Sequence, residues 1–246
     1  MKLYETMVNN NGVLIHVTEM HRELRNEQVP LVIIPGLSES FEDYISIMEK
    51  LSPRHMVVIT LRGRGQSDVP ASGYTLDDHI NDIDAVIRHL GLHSFVLMGY
   101  SRGVSYQLGY AVQNFKRIQG LIIGDYPAVH TKLPEGWVEF LASLPPWRGK
   151  ALFDRMKLQT LHALQKESEK VKLWDELAHL TCPVLVIRGA KPHSGLSLEA
   201  VEHYKTVLPQ AQIVEFEQHD HNIFEPDADM FIQTADTFMS EITSNH

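Results

Sequence analysis

Gly99-Tyr100-Ser101-Arg102-Gly103 is the stretch of this chain best suited to chemistry, a Gly-x-Ser-x-Gly set directly behind the apolar run Phe95-Val96-Leu97-Met98. At so sharp a turn between strand and helix the serine backbone is strained, and the residues two places to either side have room for almost no side chain. Glycines at 99 and 103 meet that demand, and Val104, Leu108, Ala111 and Val112 follow at helical spacing. Strand, turn and helix in this order mark Ser101 as a nucleophile. A serine hydroxyl attacks poorly at neutral pH, so a base must take its proton and later return one to the leaving group, and a histidine suits both steps. The chain holds 14 histidines, and the elements that carry them decide which can serve.

At 246 residues and 43% hydrophobic, the chain can bury a large core, and α/β folds of this length commonly form one domain. A formal charge of −9, with no continuous basic face to offset it, excludes a phosphate-backbone partner, so nucleic acid is not an expected ligand. No apolar run approaches the roughly 20 residues that cross a bilayer, and Met1-Lys2-Leu3-Tyr4-Glu5 lacks the apolar core of a signal peptide. The sequence predicts a soluble, cytoplasmic protein with a small-molecule substrate. Cys182 is the only cysteine; its place before Pro183 and Val184-Leu185-Val186-Ile187 predicts a buried strand-entry residue without a catalytic role. His219 and His221 lie close together, but no Cys/His/carboxylate spacing completes a metal site, and neither metal nor cofactor is expected.

Two β-prone pieces come first, near Leu3 to Val8 and Val13 to Thr18, around the turn signal Asn9-Asn10-Asn11-Gly12. They predict an antiparallel hairpin. Apolar runs then recur with helical patterns between them: Leu31 to Ile34, Met56 to Ile59, Phe95 to Met98, Leu121 to Ile123, Val184 to Ile187 and Ile213 to Phe216. Continuous rather than alternating apolar strands indicate a sheet covered on both faces, the parallel sheet of an α/β protein. The clearest helix has Thr75 as its cap with Asp78 three residues on, a stripe of Ile80, Ile83, Ile87 and Leu90, and Gly91 as its stop.

The interval from Tyr126 to Thr181 is too long for a simple connection. Residues 126–175 are expected to form a small helical cap within the single domain 1–246, with helices over Trp137 to Leu144 and Lys150 to Lys166. Trp137, Phe140 and Trp147 would give this cap an apolar face over the substrate, although each alone is equally suited to ordinary packing.

This order of pieces resembles the α/β-hydrolase superfamily over essentially the whole chain. Ile34-Pro35-Gly36-Leu37 resembles the family's strand-end His-Gly motif, with Pro35 in place of the histidine. Thr60-Leu61-Arg62-Gly63-Arg64-Gly65-Gln66-Ser67 resembles its Asp-x-x-Gly-x-Gly-x-Ser turn, with Thr60 in place of the aspartate, and His221-Asn222-Ile223-Phe224-Glu225-Pro226 resembles its catalytic-histidine segment. The resemblance implies His221 as the base, after the last strand and before the last helix, with His219 a loop residue. It also implies an acid after the next-to-last strand. Here that loop, Arg188-Gly189-Ala190-Lys191-Pro192-His193-Ser194-Gly195, has no carboxylate.

Asp125, 24 residues after Ser101 and directly behind Leu121-Ile122-Ile123-Gly124, is the alternative, since some members carry their acid after that strand; a helix-capping role and the weaker candidate Glu199 stand beside it. Backbone N–H groups of Leu37 and Arg102 are expected to form the oxyanion hole. The Arg102 side chain would bind a substrate carboxylate or pair with a surface acid; Arg62 and Arg64 would hold their turn; Ser38 and Ser40 would line the pocket or cap a helix. The expected function is a serine hydrolase acting on an ester or related acyl bond. A carbon–carbon bond hydrolase or lyase, or a hydrolase-fold signalling receptor with little turnover, are the alternatives on the same fold.

Overall fold

The computed structural model describes residues 2–25 and 27–244. Strands β1 (Leu3–Asn10) and β2 (Val13–Met20) pair antiparallel around Asn11-Gly12, both with positive φ, as an Asn-Gly hairpin turn requires. Next come β3 (Leu31–Ile34), β4 (Met56–Thr60), β5 (Phe95–Tyr100) and β6 (Ile118–Gly124). A short pair, β7 (Val129–His130) and β8 (Val171–Lys172), precedes β9 (Val184–Gly189) and β10 (Ala211–Phe216). The main sheet has the order β1-β2-β4-β3-β5-β6-β9-β10. β2 pairs antiparallel with β4, and every later pairing in that sheet is parallel.

The apolar runs are continuous because both faces of the sheet are covered. Val32 and Ile34 of β3 face one apolar cluster with Leu97 and Ile123, while Leu31 and Ile33 face a second with Met98 and Ile122. The helices divide accordingly. Helix α1 (Ile45–Lys50) contributes Ile47 to the second cluster, whereas α2 (Leu76–His89) and α3 (Gly103–Gln113) pack on the first. The α2 start is capped in both directions: Thr75 Oγ1 accepts the Asp78 N–H at 3.2 Å, and the Asp78 carboxylate accepts the Thr75 N–H at 3.0 Å.

Between β7 and β8 lie α4 (Trp137–Ser143), α5 (Leu152–Arg155) and α6 (Leu158–Glu167); α7 (Trp174–Leu177), α8 (Leu198–Val207) and α9 (Asp229–Ser244) complete the helices. One expectation is corrected here. The single helix over Lys150 to Lys166 is two, α5 and α6, broken at Met156. Met156 leaves helical conformation to bridge the backbone of Arg64 and buries its side chain with Tyr74, Leu161 and Leu164. The break therefore ties the 126–175 segment to the loop after β4. Cys182 is half-buried rather than buried, in the connection before Pro183; burial still pushes its thiol up to about 11, which keeps it unreactive. No helix among the described residues is long and apolar enough to cross a membrane.

Candidate active site

Ser101 stands at the elbow between β5 and α3 with φ of +52°, a left-handed conformation that costs a non-glycine residue energy and is held by its surroundings. Its N–H donates to the Gly124 carbonyl at 2.9 Å. A Cβ at position 103 would strike the Pro35 carbonyl and come within 2.6 Å of the Ile34 carbonyl oxygen, so α3 starts against β3 only because Gly103 has none. Ser101 Oγ lies 2.8 Å from His221 Nε2, and His221 Nδ1 lies 2.8 Å from Asp125 Oδ2. A carboxylate only accepts, so Nδ1 carries the proton and Nε2 is left to accept from the serine hydroxyl.

The histidine is fixed from behind as well. Tyr100 stacks on its ring at 5.4 Å and donates its hydroxyl to the His221 carbonyl at 2.7 Å. Burial, with Glu39 and Asp125 nearby, raises the Tyr100 phenol well above its usual pKa, so it stays a donor. His219 is buried, with Nε2 3.1 Å from the Asp227 carbonyl, and it serves its own loop.

Asp125 is fully buried and has φ of +47°. Its Oδ1 accepts the Gly189 N–H at 3.1 Å and the Ser194 hydroxyl at 2.6 Å; its Oδ2 accepts the Gly195 N–H at 2.6 Å besides His221. The last residue of β9 and the loop after it, which lacks an acid, thus supply three donors to one placed just behind the neighbouring strand. Glu199 lies in the exposed first turn of α8.

The backbone N–H groups of Leu37 and Arg102 have no acceptor among the described residues. The Arg102 side chain follows neither of its expected roles. It is buried, and its guanidinium donates to Thr131 (carbonyl at 3.1 Å, Oγ1 at 3.0 Å), to the Tyr106 hydroxyl at 3.2 Å and to His130 Nε2 at 3.0 Å. It pairs with no surface acid because it turns inward, toward Tyr106 of α3 and the His130-Thr131 segment. Arg62 and Arg64 do hold their turn: Arg62 grips Asp82 through two bonds of 2.6 Å, and Arg64 donates to the Leu37 carbonyl at 2.8 Å and lies 3.0 Å from His79 Nε2. Both histidines that accept from these arginines are held neutral. Burial first, then the adjacent arginine, lowers His130 to about 3 and His79 well below its usual value. Ser38 lines the pocket, whereas Ser40 precedes a short helical turn, its N–H donating to Asp43 at 3.1 Å.

A cavity of about 620 Å³ opens over Ser101 and His221. Of the three aromatic residues proposed for it, Trp147 lines it, 6.1 Å from the His221 ring. Trp137 packs into the cap's own apolar cluster, and Phe140 is 60% exposed. The phase of α4 explains the difference. Val138 and Leu141 face inward while Phe140 points out, so the wall is built from Leu141, Leu144, Pro145, Pro146 and Leu152 instead.

Three polar wall residues escaped the sequence reading: Glu39, Arg155 and His193. Glu39 is buried and links the loop after β3 to the cap, accepting the Gly36 N–H at 3.0 Å, the Tyr44 hydroxyl at 2.6 Å, Trp147 Nε1 at 3.0 Å and Arg148 Nη1 at 3.3 Å. An acid three residues after Gly36 was the available signal. Among the described residues no cluster of three or more His, Cys, Asp or Glu side chains could hold a metal ion.

This sheet, elbow and cavity match known proteins. A family profile for the alpha/beta hydrolase fold covers residues 29–220, and the chain belongs to that family of enzymes. It is 24% identical over 250 residues to the AB hydrolase superfamily protein YisY of Bacillus subtilis, covering 84% of this chain and 91% of that one. It is 22% identical to the (E)-2-((N-methylformamido)methylene)succinate hydrolase of Acinetobacter baylyi, covering 90% and 95%. The crystal structure of the esterase RhEst1 from a Rhodococcus species shares the fold with a TM-score of 0.78 at 22% identity, over 98% of this chain and 100% of that one.

Proposed function

We propose that the protein hydrolyses an ester or related acyl bond of a small molecule through an acyl-enzyme on Ser101. The observation that carries this is the continuous line from Ser101 Oγ through His221 to buried Asp125, with both links at 2.8 Å, opening on one cavity. His221 Nε2 takes the hydroxyl proton as Ser101 Oγ bonds to the substrate carbonyl carbon, and Asp125 stabilises the imidazolium that results. The N–H groups of Leu37 and Arg102, free of acceptors among the described residues, receive the oxyanion. His221 returns the proton to the leaving alcohol, then activates a water that releases the acid and restores Ser101.

That the relatives include an esterase and a hydrolase of a methylene-succinate amide supports hydrolytic chemistry without choosing the bond. The same triad serves carbon–carbon bond hydrolysis or a receptor with little turnover. Steady-state assay of short-chain nitrophenyl esters, with mass spectrometry of a fluorophosphonate adduct, tests the proposal. Multiple turnover with the adduct on Ser101 supports it. An adduct without turnover of any ester refutes ester hydrolysis and favours one of the other two.

A further inference from the structure

The charges in the cavity wall select a class of acyl group, an inference that rests on the hydrolase reading above. Arg155 is the one arginine or lysine among the described residues that line the cavity. It is nine-tenths buried, and both terminal nitrogens of its guanidinium are committed elsewhere: Nη1 donates to Asp43 Oδ2 at 2.8 Å, and Nη2 donates to Asp43 Oδ1 at 3.0 Å and to the Trp147 carbonyl at 2.8 Å, while Nε, which has no acceptor among the described residues, is buried away from any entering ligand. A bidentate carboxylate satisfies the fork geometry through which arginine would otherwise hold an acidic substrate. The wall also holds an anion. Glu39, 2% exposed, is paired with Arg148, which does not line the cavity. His193 lies exposed at the rim, where water screens any charge it carries. The rest of the wall is mostly leucine, proline and tryptophan.

A substrate carboxylate entering this space would lose its water and meet a buried carboxylate with no cation left to pair with, and a charge buried without a partner is costly. We propose that Asp43, by occupying Arg155, sets the specificity of the site for uncharged, apolar acyl groups, and that removing its charge frees Arg155 to accept an acyl chain ending in a carboxylate. Asp43 does not line the cavity and takes no part in the catalytic steps. It is a specificity determinant acting through Arg155.

The test uses two ethyl p-nitrophenyl alkylphosphonates of equal chain length, both uncharged at phosphorus, one chain ending in a methyl group and one in a carboxylate. Both report by p-nitrophenolate release and by the mass of the Ser101 adduct, without need of deacylation. The wild-type protein is expected to react with the neutral probe at least about a hundredfold faster. Asp43→Asn should narrow that ratio at least tenfold by speeding the anionic probe, and the double variant Asp43→Asn with Arg155→Gln should restore it. Asp43→Ser carries the same expectation if the asparagine variant fails to fold, and the wild-type ratio decides the matter if both fail. Equal rates in the wild type, or an unchanged ratio in a folded Asp43 variant, overturn the inference and leave the hydrolase reading standing. Failure of both probes to label Ser101 overturns the hydrolase reading and takes the inference with it.

Discussion

Replacing Asp125 by asparagine keeps the size of the side chain and removes one acceptor from a site that uses both. Each carboxylate oxygen receives two donors: Gly189 N–H and Ser194 Oγ–H at Oδ1, Gly195 N–H and His221 Nδ1–H at Oδ2. The amide of asparagine has one oxygen. With its NH₂ at the Oδ2 position, His221 must turn Nδ1 into an acceptor, which puts the proton on Nε2 and leaves Ser101 facing a donor. With its NH₂ at the Oδ1 position, the tautomer survives, but a buried N–H opposes the Gly189 N–H and the imidazolium loses its negative partner. Either outcome raises the barrier. The expected loss in kcat is about 10²-fold to 10⁴-fold, equivalent to about 3 to 5.5 kcal/mol. Initial rates on a short-chain nitrophenyl ester measure it, with Glu199→Gln as a control that should be nearly silent because Glu199 is exposed on α8. Retention of activity in a folded Asp125→Asn protein, or its loss in the control, would refute the assignment of the acid.

Ser101→Ala should lower turnover by about 10³ or more while leaving the thermal midpoint nearly unchanged, since it removes one hydroxyl from a half-exposed turn; ester hydrolysis near the parental rate would exclude Ser101 as nucleophile. Ser194→Ala removes the 2.6 Å bond to Asp125 and should cost about tenfold in kcat with little change in KM, because a buried charge-assisted bond is worth about 1.5 to 3 kcal/mol and the two backbone donors remain; a change confined to KM would contradict this. Trp147→Phe deletes the donor to Glu39 and should change relative rates on long and short acyl chains, whereas Phe140→Ala should change neither rate nor preference; the same ester panel on both variants decides. Below pH 6.5 the unfolded chain protonates His79 and His130 while the folded chain, with both pKa values depressed, does not. Stability present above that pH is therefore lost as the pH falls, by about 2 kcal/mol at pH 5 for His130, whose pKa is lowered to about 3, and urea titrations should show a shallower pH slope in His130→Gln.

Ser101, the parallel sheet and the capped α2 were legible because each depends on local rules: glycines where backbone approaches backbone, apolar runs where both sheet faces are covered, a threonine three residues before an aspartate. The pieces of the pocket were less legible. Aromatic type drew attention to Phe140, yet whether a residue on a short helix faces inward is a matter of phase, and the inward positions of α4 are Val138 and Leu141. The Lys150 to Lys166 break was hidden because the chain leaves the helix at Met156 to reach a distant partner, Arg64. The substrate carboxylate or surface acid expected as the partner of the Arg102 side chain is absent for a related reason: its acceptors include His130 and Thr131, brought beside it by β7 and the residue that follows it.

The missing acid and its replacement belong to one physical unit. β6 and β9 are parallel neighbours, with Gly124 opposite Ile187, so a carboxylate leaving the end of either strand arrives at the same place beneath the histidine loop. What that place requires is an acceptor aimed at His221 Nδ1 and enough donors to satisfy the oxygens of a fully buried carboxyl group. Here the carboxylate comes from just behind β6 and the donors from the end of β9 and the loop after it, the reverse of an arrangement in which that second loop carries the acid. The division fixes the loop's own residues. A Cβ on Gly195 would lie 2.8 Å from His221 Nδ1 and 2.6 Å from the Asp125 carbonyl oxygen, so the residue that donates to Oδ2 must be glycine. An acid restored to the β9 loop would find its place already filled by Asp125. On the proposed reading, a carboxylate at 125 serves as the triad acid because Gly189, Ser194 and Gly195 supply its donors, and a change in that donor set is expected to weaken it.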